Sequence, residues 1–178
     1  MRILYTASEA LPYAASGGLA DVAGSLPAAL CKAGHDCRVV LPLYKSIKPE
    51  LRKDLRFLMN FTVDVGWRKQ YCGVFEGHAN NVTYYLLDNE YYYARDGLYG
   101  FYDDCERFVF LSRAVMELIR HIDWKPQIIN CNDWQTALVP VYYQTYYKYQ
   151  HGYEDIKTVF TIHNIQYQGK YGMDVLNE

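Results

Sequence analysis

The residues best suited to chemistry sit at strand ends. His163 and Asn164 follow Thr158-Val159-Phe160-Thr161-Ile162, a β-branched and aromatic run of the kind a buried parallel strand uses. Asp133, in Asn132-Asp133-Trp134, follows a second such run, Gln127-Ile128-Ile129-Asn130-Cys131. As a plain helix N-cap, Asp133 would be worth about 1 kcal/mol. Gly17 and Gly18 open a helix after the first strand, with Asp21 one turn in. Without a Cβ, the diglycine lets a ligand approach the backbone closely. The helix N-terminus adds free N–H groups and partial positive charge, which suit a phosphate. The competing reading is a glycine-dependent turn that packs helix to sheet.

The elements that position these residues follow from hydrophobic period. Residues 2–7 read as a buried first strand, and residues 18–33 as a helix with Leu19, Val22, Ala23, Leu26, Ala29 and Leu30 near helical spacing. Pro27 predicts a kink or a broken turn. Residues 37–41 form the second strand of this β-α-β unit. From Leu55 the period changes to two. Runs 57–65, 71–77 and 82–87 predict an antiparallel meander, with turns at Gly66-Trp67-Arg68-Lys69 and Ala79-Asn80-Asn81. A Tyr- and Gly-rich stretch to Tyr102 reads as a surface loop or binding wall. Residues 104–122 form the clearest helix, with Phe108, Leu111, Val115, Leu118 and Ile119 on one stripe and Asp103 or Asp104 as cap. The strand at 127–131 passes into a helix to about Gln150 that Pro140 bends. The expected fold is α/β, a parallel sheet with helices on both faces and an added antiparallel meander.

In open α/β sheets, ligands bind beyond the carboxyl ends of the strands. Junctions 8–21, 131–134 and 163–164 all follow parallel strands, so they converge on one edge. The crevice would hold a diglycine helix entry, the carboxylates of Asp21 and Asp133, an imidazole and an amide. That set suits an anionic, hydroxyl-rich ligand.

Composition narrows the classes further. At 178 residues, one compact domain is the default. A net charge of −2 argues against a nucleic-acid or membrane partner. No apolar run approaches the ~20 residues of a membrane span. Five cysteines without C-x-x-C spacing, and a start with no export leader, point to reduced thiols in a cytoplasmic setting. The histidines lack zinc-ligand spacing, and there is no P-loop, G-x-G-x-x-G or G-x-S-x-G.

The sequence resembles the bacterial glycogen synthases and plant starch synthases. The likeness rests on Ile3-Leu4-Tyr5-Thr6-Ala7-Ser8-Glu9-Ala10, Gly17-Gly18-Leu19-Ala20-Asp21-Val22, Glu106-Arg107-Phe108, Asn132-Asp133-Trp134 and Thr161-Ile162-His163-Asn164-Ile165 with Tyr167-Gln168-Gly169. The resemblance implies a retaining GT-B glycosyltransferase built from two Rossmann-like domains. Such an enzyme moves glucose from ADP-glucose or UDP-glucose to the non-reducing 4-hydroxyl of an α-1,4-glucan, with no metal or redox cofactor. By position, His163 and Asp133 would be the catalytic residues, with Ala15, Gly17, Gly18, Asp21 and Asn164 binding donor or substrate. The resemblance also implies that residues 1–178 form an N-terminal portion that lacks its C-terminal nucleotide-binding domain, so that the chain alone is inactive. The family normally places Lys where this sequence has Ala15, and His where it has Asn132. The alternative is a non-catalytic glucan-binding or regulatory module.

Overall fold

The computed structural model describes residues 1–173 and 175. Seven strands form one sheet: β1 (Arg2–Thr6), β2 (Asp36–Pro42), β3 (Arg56–Val65), β4 (Arg68–Ala79), β5 (Val82–Asp88), β6 (Ile128–Asn132) and β7 (Lys157–Thr161). Their order is β3-β4-β5-β2-β1-β6-β7. The run from β5 to β7 is parallel, and β3 and β4 add an antiparallel flank. Leu4, Val39, Val40, Leu86 and Ile129 are fully buried, as expected for a sheet covered on both sides.

The chain reverses direction at β1. It first steps from β1 to β2, and later returns past β1 to β6 and β7. Right-handed crossovers running in opposite directions put their helices on opposite faces. Helix α1 (Gly18–Lys32) therefore covers one face, and α4 (Asp104–His121) with α5 (Leu138–Tyr142) covers the other. The expected α/β sheet with helices on both faces and an added meander is what forms. The predicted stripe of α4 is buried throughout, from Phe108 to Ile119.

Several local expectations give way. The run before His163 is not a buried strand: β7 is the sheet's edge, with Val159 and Phe160 each 44% exposed. A short apolar run looks the same in the middle of a sheet and at its rim. The single helix expected from Trp134 to Gln150 is a 3-10 turn (Trp134–Thr136), then α5, then a π turn (Tyr143–Tyr147). Pro140 removes one N–H near the change of pitch. Thr145 then donates its hydroxyl to the Val141 carbonyl at 2.8 Å, a back-bond that loosens helices, and Lys148 N–H reaches Tyr143 at 2.8 Å. Conversely, α1 runs unbroken through Pro27, whose fixed φ suits a helix at the loss of one hydrogen bond.

The capping expectation at α4 is also corrected. Asp103 occupies the N-cap without capping; its carboxylate instead takes Arg95 Nη2 at 2.7 Å. Two short helices, α2 (Pro49–Lys53) and α3 (Glu90–Tyr93), were not foreseen. The second is capped by Asn89, which accepts Tyr92 N–H at 3.1 Å. In the meander the turn is shorter than expected, so β4 already begins at Arg68. Gly73 of β4 pairs with Asp88 at the carboxyl end of β5. Residues 68–72 and the Gly66-Trp67 tip therefore project past that end of the sheet. No helix among the described residues is long and apolar enough to cross a membrane.

Candidate functional site

Beyond the carboxyl ends of β1 and β6 lies a cleft of about 920 Å³. Its place is the point where the strand order reverses, which is where open α/β sheets bind ligands. The cleft brings together His163, Asn164, Asp133, Gly17 and Gly18. Ala15 and Asp21 stay outside its lining and are exposed. Glu9, within junction 8–21, and Tyr99, within the stretch read as a surface loop or binding wall, complete the walls with Asp104 and Gln135; none of the four was singled out as a site residue.

Asp133 is no ordinary helix cap. Its backbone sits at φ 57, ψ 179, a region close to glycine-only. That conformation turns the carboxylate away from the following helical turn and toward the segment after β7. There Oδ1 accepts the backbone N–H of His163 at 2.7 Å and that of Asn164 at 3.4 Å. The Asp133 N–H meanwhile donates to Thr161 O at 2.9 Å. The strained residue thus ties the end of β6 to the end of β7. Packing adds a second tie: a Cβ on Gly169 would lie 2.3 Å from Trp134 Cε3, so the following loop rests on the indole face.

The His163 ring is oriented by Asn132. Asn132 Nδ2 donates to Thr6 O at 3.0 Å and to Asn130 Oδ1 at 2.8 Å, which fixes the amide. Its Oδ1 then faces His163 Nε2 at 2.8 Å. An amide oxygen only accepts, so Nε2 carries the proton. The ring keeps Nδ1 as its remaining polar atom. The spacing of Asn132 showed that it ends a strand, but not that it sets a tautomer.

The two glycines behave differently from a packing turn. A Cβ on Gly18 would meet nothing within 4 Å, and one on Gly17 only Glu9 Oε1 at 4.0 Å. The packing glycine is Gly24, where a Cβ would lie 2.9 Å from Leu11 Cβ and 3.0 Å from Leu11 O. The space above Gly17 and Gly18 is open to the cleft. Glu9 stands beside it, 4% exposed, its carboxylate taking the Ser16 N–H.

The far wall is the loop before α4. Asp104 accepts Gly100 N–H at 2.7 Å and Arg107 Nη1 at 2.6 Å, while the same guanidinium nitrogen holds Leu98 O at 3.0 Å. Arg107 is fully buried, with its Cζ 4.8 Å from the Phe101 ring centroid. These bonds pin Tyr99, whose hydroxyl lies 2.7 Å from Ser8 Oγ. Burial, and then the charge of Glu9, push the Tyr99 phenol upward, so it stays protonated. The cleft lining holds the carboxylates of Glu9, Asp104 and Asp133, and no lysine or arginine among the described residues. Nor do these residues contain a cluster of three or more His, Cys, Asp or Glu that could hold a metal ion.

A doubly wound sheet with a cleft at its switch point defines an α/β ligand-binding domain. The chain belongs to the starch synthase catalytic domain family, whose model matches residues 2–178. It is 54% identical to a glycogen synthase of Clostridium botulinum over 179 aligned residues, covering all of this chain and 37% of that protein. It is 48% identical to one from Geobacillus stearothermophilus, again covering 37% of the relative. Among solved structures it matches the catalytic domain of starch synthase IV from Arabidopsis thaliana bound to ADP and acarbose. That match has TM-score 0.91 and 31% identity, covering 98% of this chain and 36% of the other. The chain thus spans little more than a third of the length of the proteins it resembles.

Proposed function

We propose that this chain is the acceptor-side portion of a retaining GT-B glucosyltransferase of glycogen or starch synthesis. The reaction moves glucose from ADP-glucose or UDP-glucose to the non-reducing 4-hydroxyl of an α-1,4-glucan, in the cytoplasm, without a metal or redox cofactor. One observation carries the reading. The cleft at the switch point joins an open diglycine helix entry to an oriented imidazole within walls of hydrogen-bond acceptors.

Carboxylates and a phenol hydroxyl suit a sugar, whose hydroxyls donate and accept. His163, its Nε2–H already given to Asn132, offers Nδ1 to a glucose hydroxyl. Asp133 acts by holding the backbone of His163 and Asn164, so that both stay fixed as charge develops at the anomeric carbon. Gly17 and Gly18 let the donor diphosphate reach the N–H groups that open α1.

The charge balance of the cleft supports a division of labour with groups outside this portion. Glu9 already places a negative charge at the helix entry, and the position the family gives to lysine is Ala15. A diphosphate leaving group needs cations that this cleft lining does not hold. They belong to a C-terminal nucleotide-binding domain that closes over the cleft. By itself the 178-residue chain binds glucan and transfers no glucose. Titrating the chain with maltotriose should shift the amide signals of Gly17, Gly18, His163 and Asn164. Absence of those shifts overturns the acceptor-side reading, and glucosyl transfer from ADP-glucose by the purified chain overturns the division of labour.

A further inference from the structure

Beyond the cleft, the same edge of the sheet carries large rings that the described residues leave exposed. Tyr102 is 91% exposed, Trp67 87% and Tyr91 54%. Tyr102 follows by two residues the Gly100 that lines the cleft wall. Arg95 lies over both the Tyr91 and the Phe101 rings, 5.6 and 5.1 Å from their centroids, which brings Tyr91 beside the segment that carries Tyr102. Trp67 is at the tip of the hairpin that overshoots the carboxyl end of β5, by residues 68–72 at ~3.4 Å each. Its neighbour Arg68 ties that hairpin to α4 through Glu106 at 2.7 Å. Glu106 in turn takes the Tyr92 hydroxyl, and the Tyr91 and Tyr92 rings lie 5.1 Å apart. The three exposed rings therefore lie along one path that starts at the cleft mouth.

We propose that Tyr102, Tyr91 and Trp67 form an aromatic rim that holds the α-glucan chain where it leaves the cleft. This rests on the glucan-binding reading of the cleft itself. The occupant follows from what lies between the rings. Arg95 sits 5.6 Å from the Tyr91 ring centroid and pairs with Asp103, and Arg68 pairs with Glu106. A pyranose matches that alternation: its C–H faces stack on rings while its hydroxyls meet charged groups. A stable protein partner asks instead for a contiguous apolar patch. Continuity with the cleft supplies the rest. A growing polymer exits where Tyr99 and Gly100 end, and the next uncovered surface is Tyr102.

The test compares glucans of two lengths on the 178-residue chain and on its Trp67→Ala/Tyr102→Ala variant. Both side chains are solvent-exposed, and circular dichroism checks that the variant stays folded. Maltotriose fills the cleft alone, whereas maltodecaose also reaches the rim. By calorimetric titration the variant should bind maltotriose as the parent does, and maltodecaose about tenfold more weakly. An unchanged ratio of the two affinities overturns the rim while leaving the cleft reading intact. If neither sugar binds the parent chain, the cleft reading fails and the rim falls with it. A parent chain that sediments as a dimer, with a monomeric variant, assigns the rings to a second copy and overturns the proposal.

Discussion

Replacing Asp133 by glycine and by alanine should give opposite departures from the usual rule for those two residues. At an ordinary position glycine is the weaker choice by about 0.4–1 kcal/mol, because its unfolded chain has more freedom to lose. Position 133 has φ 57 and ψ 179, where a side-chain-bearing residue stores about 1–3 kcal/mol of strain. Both variants lose the same carboxylate and leave the His163 and Asn164 N–H groups without it. The difference between them therefore isolates the backbone. Subtracting the entropy term from the strain leaves Asp133→Gly more stable than Asp133→Ala by about 1 kcal/mol. For a chain of this size that corresponds to about 2–4 °C in Tm. Urea unfolding at equal m reads the difference as a shift in midpoint. An alanine variant equal to or more stable than the glycine variant would refute the claim that Asp133 is held in a strained conformation by its ties to β7.

Other outcomes follow from the same geometry. Gly18→Ala should leave stability within about 0.5 kcal/mol and weaken ligand binding, whereas Gly24→Ala should cost about 1–3 kcal/mol through its clash with Leu11; equal melting temperatures for the two would contradict this. Nitrogen NMR of the His163 ring should show a proton on Nε2, and Asn132→Ala should loosen that preference; an Nε2 without its proton in the parent would remove Asn132 from its orienting role. Burial pushes the thiols of Cys37 and Cys131 up to about 12, and that of Cys72 higher still, so almost no thiolate forms there at pH 8. A disulfide reagent at that pH should modify the half-buried Cys31 and Cys105 in the folded chain and the other three only after unfolding; rapid reaction of all five would oppose the burial described.

The sheet was legible because period and burial speak the same language. Residues 3–5 and 39–41 are unbroken apolar runs, as strands covered on both faces require. Convergence of the three junctions was legible too, since a parallel strand delivers whatever follows it to one edge. What the sequence hid was of another kind. Val159 and Phe160 look like core residues, yet β7 is an edge, because partner count is a property of the sheet and not of the strand. Asp133 looks like a cap, since Asp at a strand-to-helix junction usually is one. Its positive φ, which sends the carboxylate toward His163 instead, leaves no trace in residue type. Glu9 and Tyr99 lie ninety residues apart in sequence and meet only because β1 and the loop before α4 share the cleft.

The pattern of what lines the cleft carries the functional argument further than any single residue. Tyr99, Asp104 and Glu9 are each held by bonds inside the fold: to Ser8, to Gly100 and Arg107, and to Ser16. Preorganised acceptors of this kind serve a ligand that donates many weak hydrogen bonds, as a glucan does, because each group is positioned before the ligand arrives. They serve a diphosphate poorly, since negative groups fixed near a helix entry oppose a second negative charge there. Under the function proposed above, such a half-site needs cations from outside its own lining before the leaving group can be held. Under that same function, closure ties cleavage of the donor to the presence of an acceptor already seated along Asp133, His163 and the wall that Arg107 supports.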